Sequence, residues 1–319
     1  MAPIDRRTFL ALGAGAFAVA MSPLAFRPRR GLVRRMIPVM GTLAEVAVVH
    51  PDAALAEEAI DAAFSELRSV DARMSRFSAM SDVGRLNSGG ARGPVAVAPE
   101  TARVLAEALR WARATDGLFD PCIGRAIELW DVNRRHEPPP EGDVRRWAGR
   151  HLHRSLELDT WRGAPVARFT DGDVAVDLGG IAKGYAVDRA VDALRARGIT
   201  RAFVNAGGDL YAMGASEDGD KWQVGVQSAK DPSRVERVLS VEDEAVATSG
   251  DYLQGFRCGG RRYHHLLDPA SGEPWRTDGK SLTIAAARCI DADAAATAFF
   301  GAPSADASLR GADPSARVA

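Results

Sequence analysis

Residues 174–188, VAVDLGGIAKGYAVD, constrain the fold more than any other stretch of the chain. A short apolar run ends in Asp177, two glycines follow, and apolar residues then recur at helical spacing. The pattern predicts a strand at 174–176 that turns at once into a helix over 181–197, closed by Gly198. Gly179 and Gly180 let the backbone approach a ligand closely. A helix start offers free N–H groups that attract phosphate, and Lys183 adds a positive charge beside them. The spacing matches neither G-x-x-x-x-G-K-[ST] nor G-x-G-x-x-G. Alone, it fits a tight strand–helix turn with a surface lysine equally well.

The rest of the chain alternates between the two periods. Residues 42–50 alternate apolar and polar like a half-buried strand. Residues 53–73 place Ile60, Ala63, Phe64 and Leu67 on one helical face, and 99–114 repeat this with Leu105, Ala108, Leu109 and Ala112. The run 137–142, EPPPEG, marks a loop inside an excursion from about 131 to 172, with a short helix and strands, and no domain boundary. Strands are expected at 201–204, 222–226, 237–241, 263–267 and 281–286, and a last helix at 292–300. Helices early, strands late and several hairpins favour an α+β fold over a doubly wound parallel sheet.

The 41 Lys and Arg balance 42 Asp and Glu, so no bulk charge draws the chain to nucleic acid. Arg27, Arg29, Arg30, Arg34 and Arg35 do crowd together, and read as a solvated segment behind a leader. Cys122, Cys258 and Cys289 lie far apart with no C-x-x-C, which excludes the usual zinc and thioredoxin-like motifs and leaves one disulfide open. Arg6-Arg7-Thr8-Phe9-Leu10 precedes a weakly apolar stretch to Met21, too short for a spanning helix of about 20 residues. Paired arginines in this setting resemble a twin-arginine export signal, which implies a periplasmic protein. Two chance arginines in a tail are the competing account.

Two further motifs carry chemistry. Asp293 and Thr297 stand four apart on the predicted last helix and so share a face. A carboxylate and a hydroxyl are hard oxygen ligands of the kind magnesium accepts, with room left for phosphate oxygens. By spacing alone they also fit a helix-start aspartate, with Asp291 as a neighbouring cap, and an ordinary buried threonine. Residues 263–272, YHHLLDPASG, read as a strand ending in an Asp-Pro turn. Adjacent strand histidines point to opposite faces, so only one of His264 and His265 looks into a given pocket. A histidine there could accept a proton near neutral pH, or simply pack. No H-E-x-x-H or triad spacing supports a zinc or serine hydrolase.

In this order, 174–188, 263–272 and 291–298 (DADAAATA) resemble the ApbE family of flavin transferases, and the resemblance extends over about 36–301. It implies an α+β, T-fold-like arrangement of mixed, mostly antiparallel sheets packed with helices. It divides the chain into a signal and linker, 1–30, and a transferase domain, 31–319. It implies magnesium-dependent transfer of FMN from FAD to a Thr or Ser hydroxyl, with AMP leaving. Mg2+ would be held by Asp293, Thr297 and the carbonyl of Gly180. Asp177, Lys183 and Leu267 match FAD-contacting positions. Met40, Phe77 and the run Leu118, Phe119, Asp120 would line the FAD site, and His265 is the candidate base. The implied acceptor is a D-x-x-[ST]-G-A-[ST]-like segment on a periplasmic or membrane-associated redox protein. The chain departs from the family pattern at 301–319, where a small, polar tail replaces the usual closing helix and strand. A flavin carrier, a magnesium-dependent FAD pyrophosphatase and a structural partner of a respiratory complex are the other readings.

Overall fold

The computed structural model describes residues 17–19, 31–231, 233–252, 254–302, 305–313 and 315–319. Its centre is one sheet of seven strands: β1 (Leu32–Val39), β2 (Thr42–Val49), β3 (Ala202–Ala206), β4 (Asp209–Met213), β5 (Glu244–Gly250), β6 (Ser281–Ala286) and β7 (Arg317–Val318). Spatial order equals chain order, and every neighbouring pair is antiparallel. The sheet is therefore a meander, with all other elements inserted between its strands. In a meander every second connection lies at the same end of the sheet. The 40–41 turn, the 207–208 turn, the exit of β5 and the entry of β6 share one end. The registers Ala44↔Ala206, Ala206↔Asp209, Val246↔Leu210 and Gly250↔Ser281 fix this.

Both faces of the sheet are covered. Ala44, Val46 and Val48 of β2, with Ala202, Val204 and Ala206 of β3, pack toward four helices. These are α1 (Ala53–Met74), α2 (Pro99–Ala114), α3 (Ala182–Arg195) and α4 (Cys289–Phe299). The alternate residues Ala47, Phe203, Leu210 and Ala212 face a small antiparallel sheet of Phe17–Val19, Trp222–Gln227 and Val235–Val241. There the Phe203 and Trp222 rings sit 5.5 Å apart. Two buried faces explain why β3 and β4 are apolar nearly throughout and lack the alternation of a half-exposed strand. Asp52 caps α1 by accepting from the amides of Ala54 and Leu55. The whole chain is α+β, as expected.

Several local expectations change. Residues 174–176 form no strand; Ala175 makes a single parallel bridge with Ile123, and Asn87 brackets Val176 from its amide oxygen and nitrogen (2.7 and 2.9 Å). The strand expected at 263–267 stops at His264, and Leu267–Asp268 pairs separately with Glu273–Pro274. Arg34 and Arg35 are not in a solvated segment. They lie on edge strand β1, where Arg34 pairs with Glu45, and Arg35 with Glu57 (3.1 Å) and Asp61 (2.7 Å). The tail does close the sheet: after a helix at Ala305–Ala312, β7 pairs with β6. Small residues hid these elements, because both are short and their periodicity is weak. The three cysteines are free, and Cys122 and Cys289 are buried. Among the described residues no helix is long and apolar enough to cross a membrane. Arg6, Arg7 and the run to Leu10 lie outside the described residues.

Candidate active site

The start of α3 is built by its neighbours. Asp177 takes the amide of Gly179 on one carboxylate oxygen (2.7 Å), and its backbone N–H donates to the Pro121 carbonyl (2.8 Å). The other oxygen meets Arg76 Nε at 2.6 Å, and the Arg76 guanidinium lies 4.2 Å over the Phe77 ring. Phe77 itself is 83% exposed, an unusual position for a phenylalanine. Asp177, Arg76 and Phe77 thus form one cluster at the mouth of the glycine turn.

A second cluster lies one turn further along α3. The Lys183 ammonium pairs with Asp209, the first residue of β4, and Asp293 Oδ1 lies 3.7 Å from it. Asp293 Oδ2 accepts the Gly184 amide at 3.0 Å. A Cβ on Gly180 would lie 2.8 Å from the Thr297 hydroxyl oxygen, so the Gly180 backbone abuts Thr297 directly. The expected set of Gly180, Lys183, Asp293 and Thr297 is therefore brought together, although its two pairs lie far apart in sequence. Gly184 is equally confined: a Cβ there would sit 2.3 Å from the Cys289 carbonyl oxygen and 2.8 Å from Asp293 Cβ. Gly184→Ala is expected to push α4 away and destabilise the protein by about 1–3 kcal/mol, read as a lower urea midpoint at unchanged slope.

The electrostatics of this cluster are unbalanced. Asp209 and Asp293 are buried, with one lysine between them. Burial and the neighbouring Asp293 push Asp209 up to about 7, and burial raises Asp293 as well, while the two carboxylates hold the Lys183 proton on against its own burial. Two acids against one base leave the pocket short of positive charge. The Thr297 hydroxyl makes no hydrogen bond among the described residues, and Asp293 Oδ1 lies beyond hydrogen-bond length from Lys183. A hydroxyl without a partner and a carboxylate oxygen held only by the Lys183 charge, in a pocket short of positive charge, fit magnesium. Among the described residues no group of three His, Cys, Asp or Glu side chains offers an alternative metal site.

The two histidines separate cleanly. His264 is buried; its Nδ1 accepts the Leu266 amide (3.3 Å), so Nε2 carries the proton, and it lies 2.9 Å from the Trp275 carbonyl oxygen. That is a structural role. His265 has part of its surface exposed, yet its Nδ1 is buried without a partner. Burial first, then the neighbouring His264 and the charge of Lys183, push His265 down to about 4. It is a neutral imidazole within the field of the Lys183 cluster.

The ApbE family profile matches residues 40–313, which covers both clusters and His265. This chain belongs to the ApbE family. The FAD:protein FMN transferase of Treponema pallidum is 33% identical over 82% of this chain and 76% of its own length. The FAD:protein FMN transferase of Vibrio cholerae is 30% identical over 82% and 79%. Among solved structures, the ApbE protein of Thermotoga maritima superposes with a TM-score of 0.78 at 30% identity, covering 90% of this chain and 93% of its own. The flavin transferase ApbE of Vibrio cholerae superposes with a TM-score of 0.73 at 26% identity, covering 89% and 92%.

Within this member of the family, the other residues expected to line the FAD site lie in differing surroundings. Met40 sits half-buried in the β1–β2 turn with φ of 54°, its amide bonded to Asp71 (3.1 Å), and Leu118 is half-buried. Phe119 packs in the main core, and Leu267 in a satellite core with Trp130 and Phe256. The Asp120 carboxylate is buried and holds the His153 amide and ring (both 3.1 Å) and the Cys122 amide (2.9 Å). The side chains of Phe119 and Leu267 are thus buried among apolar neighbours, and that of Asp120 is held by its hydrogen bonds to Cys122 and His153. Asp291 also faces away from the site, bonded to Arg110 (2.5 Å), Trp111 (3.0 Å) and Arg288 (2.6 Å).

Sequence reading passed over Arg76, Asp188 and Asp209 as site residues. Asp209 had a signal, a carboxylate directly after Gly207-Gly208 at a strand start, similar to the glycine turn beside Asp177. Asp188 ends the 174–188 stretch and caps α4 by accepting the Cys289 and Ile290 amides (2.8 and 3.0 Å). Burial pushes it up to about 6. This cap explains why α4 begins at Cys289, three residues earlier than its periodicity suggests.

Proposed function

We propose that this protein is an FAD:protein FMN transferase that attaches FMN to a Thr or Ser hydroxyl of an acceptor protein. The carrying observation is the oxygen cluster at Gly180, Asp293 and Thr297 under Lys183, with a neutral His265 in its field. The names of the relatives point the same way. FAD would lie with its diphosphate at the α3 start, where the positive end of the helix and Lys183 attract it, and its ring system near Phe77 and Met40. Asp293, Thr297 and the Gly180 carbonyl would hold Mg2+. When bound, magnesium neutralises charge on the phosphates as the phosphoryl group moves. His265 takes the proton of the acceptor hydroxyl as its oxygen bonds to the FMN phosphorus. The bond from that phosphorus to the bridging oxygen breaks, and AMP leaves with the electron pair. Arg76 holds Asp177 and so keeps the glycine turn in place.

We further propose export by the twin-arginine route, on the strength of Arg6-Arg7 and the apolar run after them. The acceptor would then be a periplasmic or membrane-associated redox protein carrying a D-x-x-[ST]-G-A-[ST]-like segment.

The test is intact-mass analysis of a peptide or domain with that segment after incubation with this protein, FAD and magnesium. The expected result is one added FMN, abolished by EDTA. AMP release without an adduct would instead identify an FAD pyrophosphatase with water as nucleophile. FAD binding without AMP or adduct would identify a carrier. A second expectation concerns stability. Magnesium at a hundredfold excess over its Kd should stabilise the fold by about 2.7 kcal/mol, a rise of several degrees in Tm that EDTA reverses. An unchanged Tm would remove the metal from the site.

A further inference from the structure

The start of β4 carries an acid that the reaction described above does not use. Asp209 is 1% exposed, and a carboxylate is rarely buried so deeply unless a partner offsets its desolvation. Its place is fixed by the turn before it. Ala206 and Asp209 flank a two-residue turn of Gly207 and Gly208, with φ of 64° and 103°, which glycine adopts without strain. Asn205 Oδ1 accepts the Gly208 amide at 3.0 Å, and a Cβ on Gly207 would lie 2.5 Å from the Thr42 hydroxyl oxygen. The turn is thus tied to β3 and packed against β2. Along β4, Tyr211 and Met213 join the core on the helix side, and Leu210 and Ala212 join the core on the other. By alternation Asp209 points to the helices, and there it meets the Lys183 ammonium.

Lys183 has two acids within reach and is bonded to one of them. Its ammonium pairs with Asp209, whereas Asp293 Oδ1 lies 3.7 Å away, within charge attraction but too long for a hydrogen bond. Turning the Asp293 carboxylate to close that gap would give up the Gly184 amide on Oδ2. The three groups therefore divide unequally. Asp209 has the ammonium, and Asp293 keeps an oxygen for a cation. These two acids are the only ion-pair partners of Lys183 among the described residues. Without Asp209 the lysine would have Asp293 alone, and a direct charge-assisted bond to Oδ1 would occupy that oxygen.

We infer that Asp209 is a positioning residue for Lys183, holding the ammonium off Asp293 Oδ1 so that lysine and magnesium act side by side on the diphosphate. The inference rests on the transferase reading for the identity of the metal and the diphosphate. It gives Asp209 no contact with either, since the residue acts through the lysine. It also gives the Gly207-Gly208 turn a purpose, which is to deliver a carboxylate to the start of α3 from the opposite side to Asp293.

The test is a double-mutant cycle on the full chain, with Asp209→Asn, Lys183→Met and the two combined. Magnesium affinity is read by calorimetry without FAD, and FMN transfer is read separately by mass. Asp209→Asn keeps the shape and removes the charge, and should weaken magnesium binding about tenfold, because the cation must then displace the ammonium from Oδ1. In the Lys183→Met background the same substitution should change magnesium affinity by less than about twofold, since no ammonium is there to displace. Should Lys183→Met not fold, Lys183→Gln supplies the uncharged background. Equal losses in the two backgrounds overturn the inference, because Asp209 would then act on the cation through its charge alone. No loss in either background overturns it as well. An additive cycle in a protein that transfers FMN keeps the transferase reading and removes only this role of Asp209. A coupled cycle in a protein that transfers no FMN does the reverse.

Discussion

Asp293→Asn is expected to lower FMN transfer by about 10³-fold, equivalent to roughly 4 kcal/mol of lost charge stabilisation on the phosphates. The fold should survive the change. The carboxamide oxygen of the substituted side chain can still accept the Gly184 amide that Asp293 Oδ2 takes at 3.0 Å. Removing the buried Asp293 carboxylate also relieves the repulsion it exerts on Asp209 and the cost of burying its own charge. Without magnesium the variant should therefore melt no lower than wild type, and addition of magnesium should no longer raise its Tm. Activity and the metal-dependent part of stability fall together while the basal fold holds. Transfer within tenfold of wild type in saturating magnesium would show that Asp293 is not a ligand.

His265→Ala is expected to slow transfer by about 10²–10⁴-fold, the usual contribution of a positioned base, with the Kd for FAD nearly unchanged. The pH dependence gives a sharper readout. His265 sits near 4 in the folded protein, below the ordinary histidine value of 6.5, chiefly because of burial. It is already neutral across the neutral range, so wild-type transfer should be level there as far as this group is concerned and fall as pH drops through about 4. Linkage has the same sign. Between 6.5 and 4 the unfolded chain binds a proton that the folded chain refuses. The stability that His265 confers is then complete above 6.5 and lost as pH falls toward 4. His265→Ala should remove that acid sensitivity, measured as urea midpoints across the range. A variant with unchanged rate at every pH would move the base elsewhere.

How much of this was legible before the structure depends on range. α2 and β6 coincide with their sequence periodicity, and α1 and β2 do so within one residue at an end, since each has a regular apolar face. The site motifs were also visible, because glycines, a lysine and oxygen ligands at helix starts have few structural uses. Failures came where long-range packing overrides local pattern. Leu267 and Phe119 look like slot residues in sequence and are core residues in space. Asp120, which the resemblance assigns to the FAD site, has its carboxylate turned inward onto His153. Arg34 and Arg35 look like a charged linker and lie on an edge strand that neighbouring acids neutralise.

The sequence by itself determined the α+β class, the family, the glycine turn with Lys183, and the pairing of Asp293 with Thr297 on one helical face. These follow from spacings of a few residues, which helix and strand geometry convert directly into neighbours. Only the tertiary structure decided that Asp209 closes on Lys183, and that His265 keeps an unpartnered ring nitrogen while both nitrogens of His264 are bonded. Those facts follow from a meander that returns to one end of the sheet at residues 40–41, 207–208, 251 and 280. Local periodicity carries no information about which turns share an end, because that is set by strand register and by both faces of the sheet being buried.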